Sequence, residues 1–267
     1  MFDLKGKRAL VTGASRGAGY GIARTLAAAG ATVVATARNE SGLRKLQAEI
    51  RAAGGQCDVQ PGDLATRAGC RDLAARCGQI DILINNAALT SAKYQPLLTR
   101  DDAYWDLEFA LNLIAPVTLM QELVPGMVRR GRGVVINISS ISAQKPNPLH
   151  SPYGASKAAL ESASKAAAME LGPAGVRVVV VAFGMTDTEA LQEALADNMT
   201  VEEMGKVFAP IGRATRVSEV AALCLYLSSD EAAAITGTVI TIDGGVTAGM
   251  YSFGQGFGTG STSPLKP

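Results

Sequence analysis

The sequence predicts a doubly wound α/β domain, a seven-stranded parallel sheet with helices on both faces, and three observations carry that reading. The chain has 267 residues, enough for one large domain and too few for two of comfortable size. Apolar residues make up 48% and charged residues only 18%, so burial can offset the entropy of ordering and the chain reads as globular. Short β-branched runs alternate with longer Ala- and Leu-rich segments along most of its length, the order that builds a parallel sheet covered on both faces.

The elements follow in order. Arg8 to Thr12 is a first buried strand, and Gly19 to Ala29 a helix closed by Gly30. Thr32 to Thr36 is the second strand, and Leu43 to Ala53 an amphipathic helix ended by glycines. Further strands are expected near Cys57 to Gln60, Ile80 to Asn85, Gly133 to Ser139, Arg177 to Ala182 and Val239 to Asp243. Helices are expected over Asp101 to Arg130, Tyr153 to Leu171 and Val217 to Ser228. Two regions break the rhythm. Residues 183–210 are longer than a simple crossover and predict one or two short helices over a site, a substrate lid at about 184–210. The domain is expected to fill 1–248, leaving a Gly/Ser-rich tail at 249–267.

Charge and cysteine usage narrow the function. With 25 basic and 24 acidic residues the formal net charge is +1, and no basic stripe offers nucleic acid a footprint. Cys57, Cys70, Cys77 and Cys224 form no CxxC pair, and the single histidine, His150, cannot complete a metal cluster with them. The N-terminus shows no apolar signal segment, and the strongly apolar runs are too short to cross a bilayer. A soluble, cytoplasmic protein with reduced thiols and no membrane partner is the expectation.

Thr12 to Gly19, directly after the first strand, supplies Gly13, Ser15, Arg16, Gly17 and Gly19. A strand, a glycine-rich turn and a helix start bring free N–H groups and the positive end of a helix dipole to one point, where a pyrophosphate fits. The second strand ends in Thr36-Ala37-Arg38, without the acidic side chain that would accept the ribose hydroxyls of NAD(H). Arg16 and Arg38 suit a 2′-phosphate instead, so NADP(H) is the expected cofactor.

Ser140, Tyr153 and Lys157, with Asn112 upstream, are the candidate reacting groups. Tyr153 and Lys157 are four apart, so one helix face presents both. A nearby ammonium is expected to lower the phenol's pKa toward the range useful for proton transfer.

At this point the chain resembles the short-chain dehydrogenase/reductase family, in its short single-domain branch, from about Lys5 to Gly245. Thr12, Gly13, Gly17 and Gly19 match its glycine motif, Asn85-Asn86-Ala87-Ala88 its Asn-Asn-Ala-Gly motif, and Ser140, Tyr153 and Lys157 its catalytic core. Asn112 falls at its catalytic asparagine, Phe183-Gly184 at its Pro-Gly segment and Thr188 at its threonine. The resemblance implies a Rossmann fold and an enzyme interconverting a small-molecule carbonyl and alcohol. Tyr153 would act as acid/base, Ser140 would hold the substrate oxygen, Lys157 would hold the nicotinamide ribose, and Asn112 would anchor a relay water. Gly13, Ser15, Arg16, Gly17, Gly19, Arg38, Asp63, Leu64, Asn86, Ala87, Tyr153, Lys157, Gly184 and Thr188 would line the cofactor, with no metal. A homodimer or homotetramer is implied as well. Ala18, Ala88 and Phe183 depart from the pattern without removing a catalytic group. Two rivals stand beside this reading. One is an epimerase or dehydratase, for which the chain is short; the other is a non-catalytic NADP(H) sensor or scaffold. His150 reads either as a substrate contact or, more simply, as an exposed loop histidine.

Overall fold

The computed structural model describes residues 2–89, 95–195 and 199–249. Strands β1 (Arg8–Thr12), β2 (Thr32–Thr36), β3 (Gln56–Val59), β4 (Ile82–Asn85), β5 (Gly133–Ser140) and β6 (Val176–Phe183) share one parallel sheet with β9 (Val239–Ile242). Their spatial order is β3-β2-β1-β4-β5-β6-β9. The short strands β7 (Thr186–Asp187) and β8 (Thr215–Arg216) pair separately. All seven expected strands of the main sheet are present, with ends within about two residues of expectation.

Side chains alternate between two cores because successive strand residues point to opposite faces. Val11, Val33, Ile84 and Ile136 meet Ile22, Leu26, Leu46 and Cys224, from α1 (Gly17–Ala28), α2 (Glu40–Ala52) and α9 (Val217–Ser228). Leu10, Val34, Leu83 and Val135 meet the other layer, formed by α3 (Arg67–Cys77), α5 (Ala115–Arg129) and α6 (Ser151–Leu171). Central strands buried on both sides need β-branched and aliphatic residues throughout, and Val178, Val179, Val180 and Val181 supply them in β6. Strand order runs outward from β1 through β2 to β3 and in the other direction from β4. The carboxyl ends of β1 and β4 therefore form the switch-point crevice where ligands of such sheets bind.

Two local features depart from the sequence expectation. Helix α3 was not foreseen, because its core positions Cys70, Leu73 and Cys77 are few and its surface is arginine-rich; Thr66 caps it by accepting from Gly69 N at 3.1 Å. The helix expected over 101–130 is α4 (Asp102–Phe109), one π turn (Ala110–Ile114) and then α5. The widened turn carries Asn112. Taken as one run, Asp102–Arg129 is long and apolar enough to span a bilayer, contrary to the sequence expectation; here Thr118, Leu119, Leu123 and Met127 pack it onto the domain.

The segment after β6, where one or two short helices were expected, holds α7 (Glu189–Leu195) and α8 (Val201–Phe208), and β7 pairs with β8 across it. Apart from Gly249, the expected tail lies outside the described residues.

Candidate active site

The cradle after β1 is built by hydrogen bonds that lock two strand ends together. Thr12 Oγ1 accepts from Asn86 N and Ala87 N, both at 2.9 Å, and Asn86 Nδ2 donates to Thr12 O at 2.9 Å. A Cβ on Gly19 would overlap Gly13 O and Asn86 Nδ2, so only glycine lets α1 approach β1 this closely. Gly13 and Gly17 have φ of +67° and +59°, where an L side chain is strained. Arg16, at the N-cap, makes no side-chain cap, and the first turn of α1 carries no acid. The open N–H groups and the glycine turn fit a dinucleotide's pyrophosphate.

The remaining cofactor candidates lie on several elements. Ser15 is half-buried in the turn. Arg38 is exposed at the end of β2 and makes no ion pair among the described residues. Arg16 is already engaged: its Nη1 pairs with Glu193 of α7 at 2.8 and 3.1 Å. Leu64 is buried, whereas Asp63 is exposed and accepts from Ala65 N at 3.0 Å. Thr188 stands just before α7, accepting from Leu191 N at 3.3 Å, and its Cβ lies 3.6 Å from where a Cβ on Gly17 would sit. Gly184 packs against Asp243, whose Cβ would lie 2.8 Å from an added Cβ. Of the departures from the family pattern, Ala18 is buried, Ala88 exposed and Phe183 packed at the edge of one core.

The candidate reacting groups gather where β5 ends and α6 begins. Ser140, the last residue of β5, accepts from Ser142 N at 3.2 Å and hydrogen-bonds Tyr153. Lys157 Nζ donates to Ile138 O at 2.8 Å and lies 5.8 Å from the centre of the Tyr153 ring. Asn112 Nδ2 donates to Ser156 Oγ at 3.0 Å and to Leu89 O at 3.3 Å, and its Oδ1 accepts from Leu89 N at 2.9 Å. The asparagine thus fastens the chain beyond β4 to α6. All four side chains are buried.

Burial decides their proton affinities. Desolvation pushes Tyr153 up to about 12, the neighbouring Glu108 carboxylate adds to the rise, and the Ser140 hydrogen bond opposes it. This overturns the expectation of a lowered phenol. Removing the ring from water outweighs an ammonium that itself sits 5.8 Å from the ring centre. Desolvation pulls Lys157 down to about 8, against the raising charges of Glu108 and Glu161.

His150 corrects a second expectation. It is buried, not exposed, and its ring stacks on Tyr153 with centroids 4.7 Å apart and planes 11° from parallel. Burial and the Arg100 guanidinium both lower its pKa, favouring a neutral imidazole. Arg100 is itself buried, donates to Leu149 O at 2.7 Å and stacks on Tyr104 at 4.8 Å. Neither Arg100 nor Glu108 was singled out from sequence. The available signal was spacing, since residues 104, 108 and 112 fall four apart on one helical run.

Two cavities of about 380 Å³ lie elsewhere, one beside Lys7, Arg132 and Arg177 at the amino ends of the strands, the other between α1, α2 and α9. Neither contains a reacting group. The site is defined by the strand carboxyl ends and its chemistry, not by the size of a hollow.

Known proteins share this framework. Residues 13–247 match a family described as enoyl-(acyl carrier protein) reductase. L-xylulose reductase of Bos taurus is 36% identical over 246 residues, covering 92% of this chain and 98% of its own. The 3-oxoacyl-[acyl-carrier-protein] reductase of Escherichia coli is 35% identical over 245 residues, covering 91% and 98%. A gluconate 5-dehydrogenase from Burkholderia cenocepacia, solved in complex with NADP and tartrate, superposes with a TM-score of 0.86 at 32% identity, covering 93% of this chain and 98% of that one. The chain belongs to the short-chain dehydrogenase/reductase family. It is an NAD(P)-dependent oxidoreductase acting on carbonyl or alcohol substrates.

Proposed function

We propose that the enzyme prefers NADP(H) and works as a carbonyl reductase, with Tyr153 giving a proton to the oxygen of the substrate. The observation that carries this reading is the convergence of Ser140, Tyr153 and Lys157 at the carboxyl end of β5, with the glycine turn of α1 alongside in the switch-point crevice. The nicotinamide supplies the hydride in reduction and accepts it in oxidation. Ser140 Oγ, already hydrogen-bonded to Tyr153, would hold the substrate oxygen against the phenol. At neutral pH a phenol raised to about 12 keeps its proton, which suits the donor in reduction. Lys157 would hold the nicotinamide ribose, and Asn112 would keep the β4 exit in register with α6 as well as anchor a relay water.

Cofactor preference follows from charge. No acid ends β2 to receive a ribose hydroxyl pair, while Arg38 makes no ion pair among the described residues and Arg16 lies at the turn. NADP in the Burkholderia structure, and in a 3-oxoacyl reductase from Agrobacterium tumefaciens with a TM-score of 0.86 at 32% identity, supports the same choice. A homodimer or homotetramer fits the apolar side chains exposed on the long helices, Leu107, Val128 and Met169.

The deciding assay follows NADPH consumption against ketoses, 3-oxoacyl thioesters and simple ketones, with NADH and Tyr153→Phe in parallel. Turnover favouring NADPH, with loss of most kcat and retained cofactor binding in Tyr153→Phe, is expected. Near-wild-type turnover by that variant would remove Tyr153 from the mechanism.

A further inference from the structure

Glu108 belongs to none of the glycine, serine or Tyr/Lys motifs, yet its side chain is fully buried at the end of α4. A carboxylate persists in such a place only where charge or hydrogen bonds hold it. The π turn that follows carries Asn112, and both α4 and that turn pack against α6. Asn112 bonds Ser156, which lies between Tyr153 and Lys157 on α6. The end of Glu108's helix is therefore docked on the stretch that bears both reacting groups. Among the described residues, Tyr153 and Lys157 of α6 feel the Glu108 charge; Glu161 lies one turn beyond Lys157, Arg100 and His150 stand on the segments leading into α4 and α6, and Tyr104 lies one turn back on Glu108's own helix. The π turn contributes no titratable group. Arg100, Lys157, Glu108 and Glu161 are all buried.

We propose that Glu108 is a positioning residue, the shared counter-charge of the Tyr153–Lys157 pair, which holds the ammonium on Lys157 and the proton on Tyr153. The two carboxylates divide the work. Glu161, fixed by Ser139 Oγ at 2.7 Å, lies four residues beyond Lys157 and supports the lysine. Glu108 acts on the lysine and on the phenol together. The proposal rests on Tyr153 and Lys157 being the reacting pair.

The test uses the full chain and NADPH itself as the probe, with binding followed by cofactor fluorescence between about pH 6.5 and 9.5. Wild-type affinity should weaken as pH rises through about 8, where Lys157 loses its proton. Glu108→Gln and Glu108→Ala should move that midpoint down by about one pH unit, a tenfold change in proton concentration. Having both variants keeps the test alive if one fails to fold. Glu108→Asp, which keeps a carboxylate, should restore most of the wild-type midpoint. The alkaline limb of alcohol oxidation, which reports Tyr153, should fall to lower pH in the charge-removing Glu108 variants and stay in place in Glu161→Gln. A role in packing alone would change amplitudes and leave both midpoints where they are. Unmoved midpoints in the charge-removing variants overturn the proposal, as does an equal shift in Glu108→Asp. Tyr153→Phe separates the two levels. If that variant still turns over, the Tyr153 reading has failed; if it is inactive and the Glu108 midpoints stay put, only the proposal has failed.

Discussion

Removing the Glu193 carboxylate should tighten NADPH binding selectively. Arg16 Nη1 donates to Glu193 at 2.8 and 3.1 Å, so a 2′-phosphate held by Arg16, as proposed, would compete with Glu193 for the guanidinium. The pair is more than half exposed on both sides, at 55% and 64%, which places it among surface ion pairs worth about 0.2–1 kcal/mol. Glu193→Gln should therefore lower the Kd for NADPH by about 1.4- to fivefold. NADH, lacking the phosphate, should bind the variant and the wild type alike. Titration calorimetry with each nucleotide checks this, and repeating it near 1 M salt should shrink the gap, because the Debye length falls to about 3 Å. Arg16→Ala should lose much of the NADPH preference, and Glu193→Gln should have no further effect in that background. Equal tightening of NADH and NADPH, or an undiminished Glu193→Gln effect in Arg16→Ala, would refute the competition.

Two other expectations follow from the same site. Lys157 has a native pKa of about 8, below the ordinary 10.5, so between those values the unfolded chain holds a proton that the native state does not. Its burial penalty is felt in full below pH 8 and relieved as pH rises toward 10.5, so this contribution makes the fold more stable while cofactor grip weakens. Thermal melts and NADPH titrations across that window should diverge in the wild type and flatten in Lys157→Met. Gly19→Ala forces a Cβ onto Gly13 O and Asn86 Nδ2; it should cost about 1–3 kcal/mol and abolish tight NADPH binding, as a melt and a titration would report. An unaltered melt would mean that α1 can move away from β1.

What could be read in the sequence was local. The glycine turn, the β-branched runs and the four-residue step from Tyr153 to Lys157 each express their geometry within a few residues. What could not be read depends on distant segments meeting. Arg16 and Glu193 are 177 residues apart, and no local pattern pairs them. His150 read as a loop residue because loops usually face water; in the fold its ring stacks on Tyr153 and is buried. Helix α3 hid because cysteines stand where leucines would mark a core face. The sign of the Tyr153 shift failed for the same reason. A spacing argument counts the charge next door but not the water that folding removes.

That removal of water bears on the direction of the reaction. A parallel sheet covered on both faces leaves its strand ends as the open part of the crevice, and here α4, α6 and the His150 ring close around the phenol. With Tyr153 at about 12 and Lys157 at about 8, both groups carry their protons at neutral pH. A site in that state has a proton to give to an incipient alkoxide and no base ready to take one from an alcohol. Reduction should therefore proceed at neutral pH, whereas oxidation should rise with pH as the phenol ionises. The Ser140 hydrogen bond pulls the phenol down, so Ser140→Ala should push the alkaline limb of oxidation to still higher pH while impairing both directions. A limb that moves to lower pH in that variant would show that Ser140 stabilises the neutral phenol, and would reverse the account of how this buried pair handles its proton.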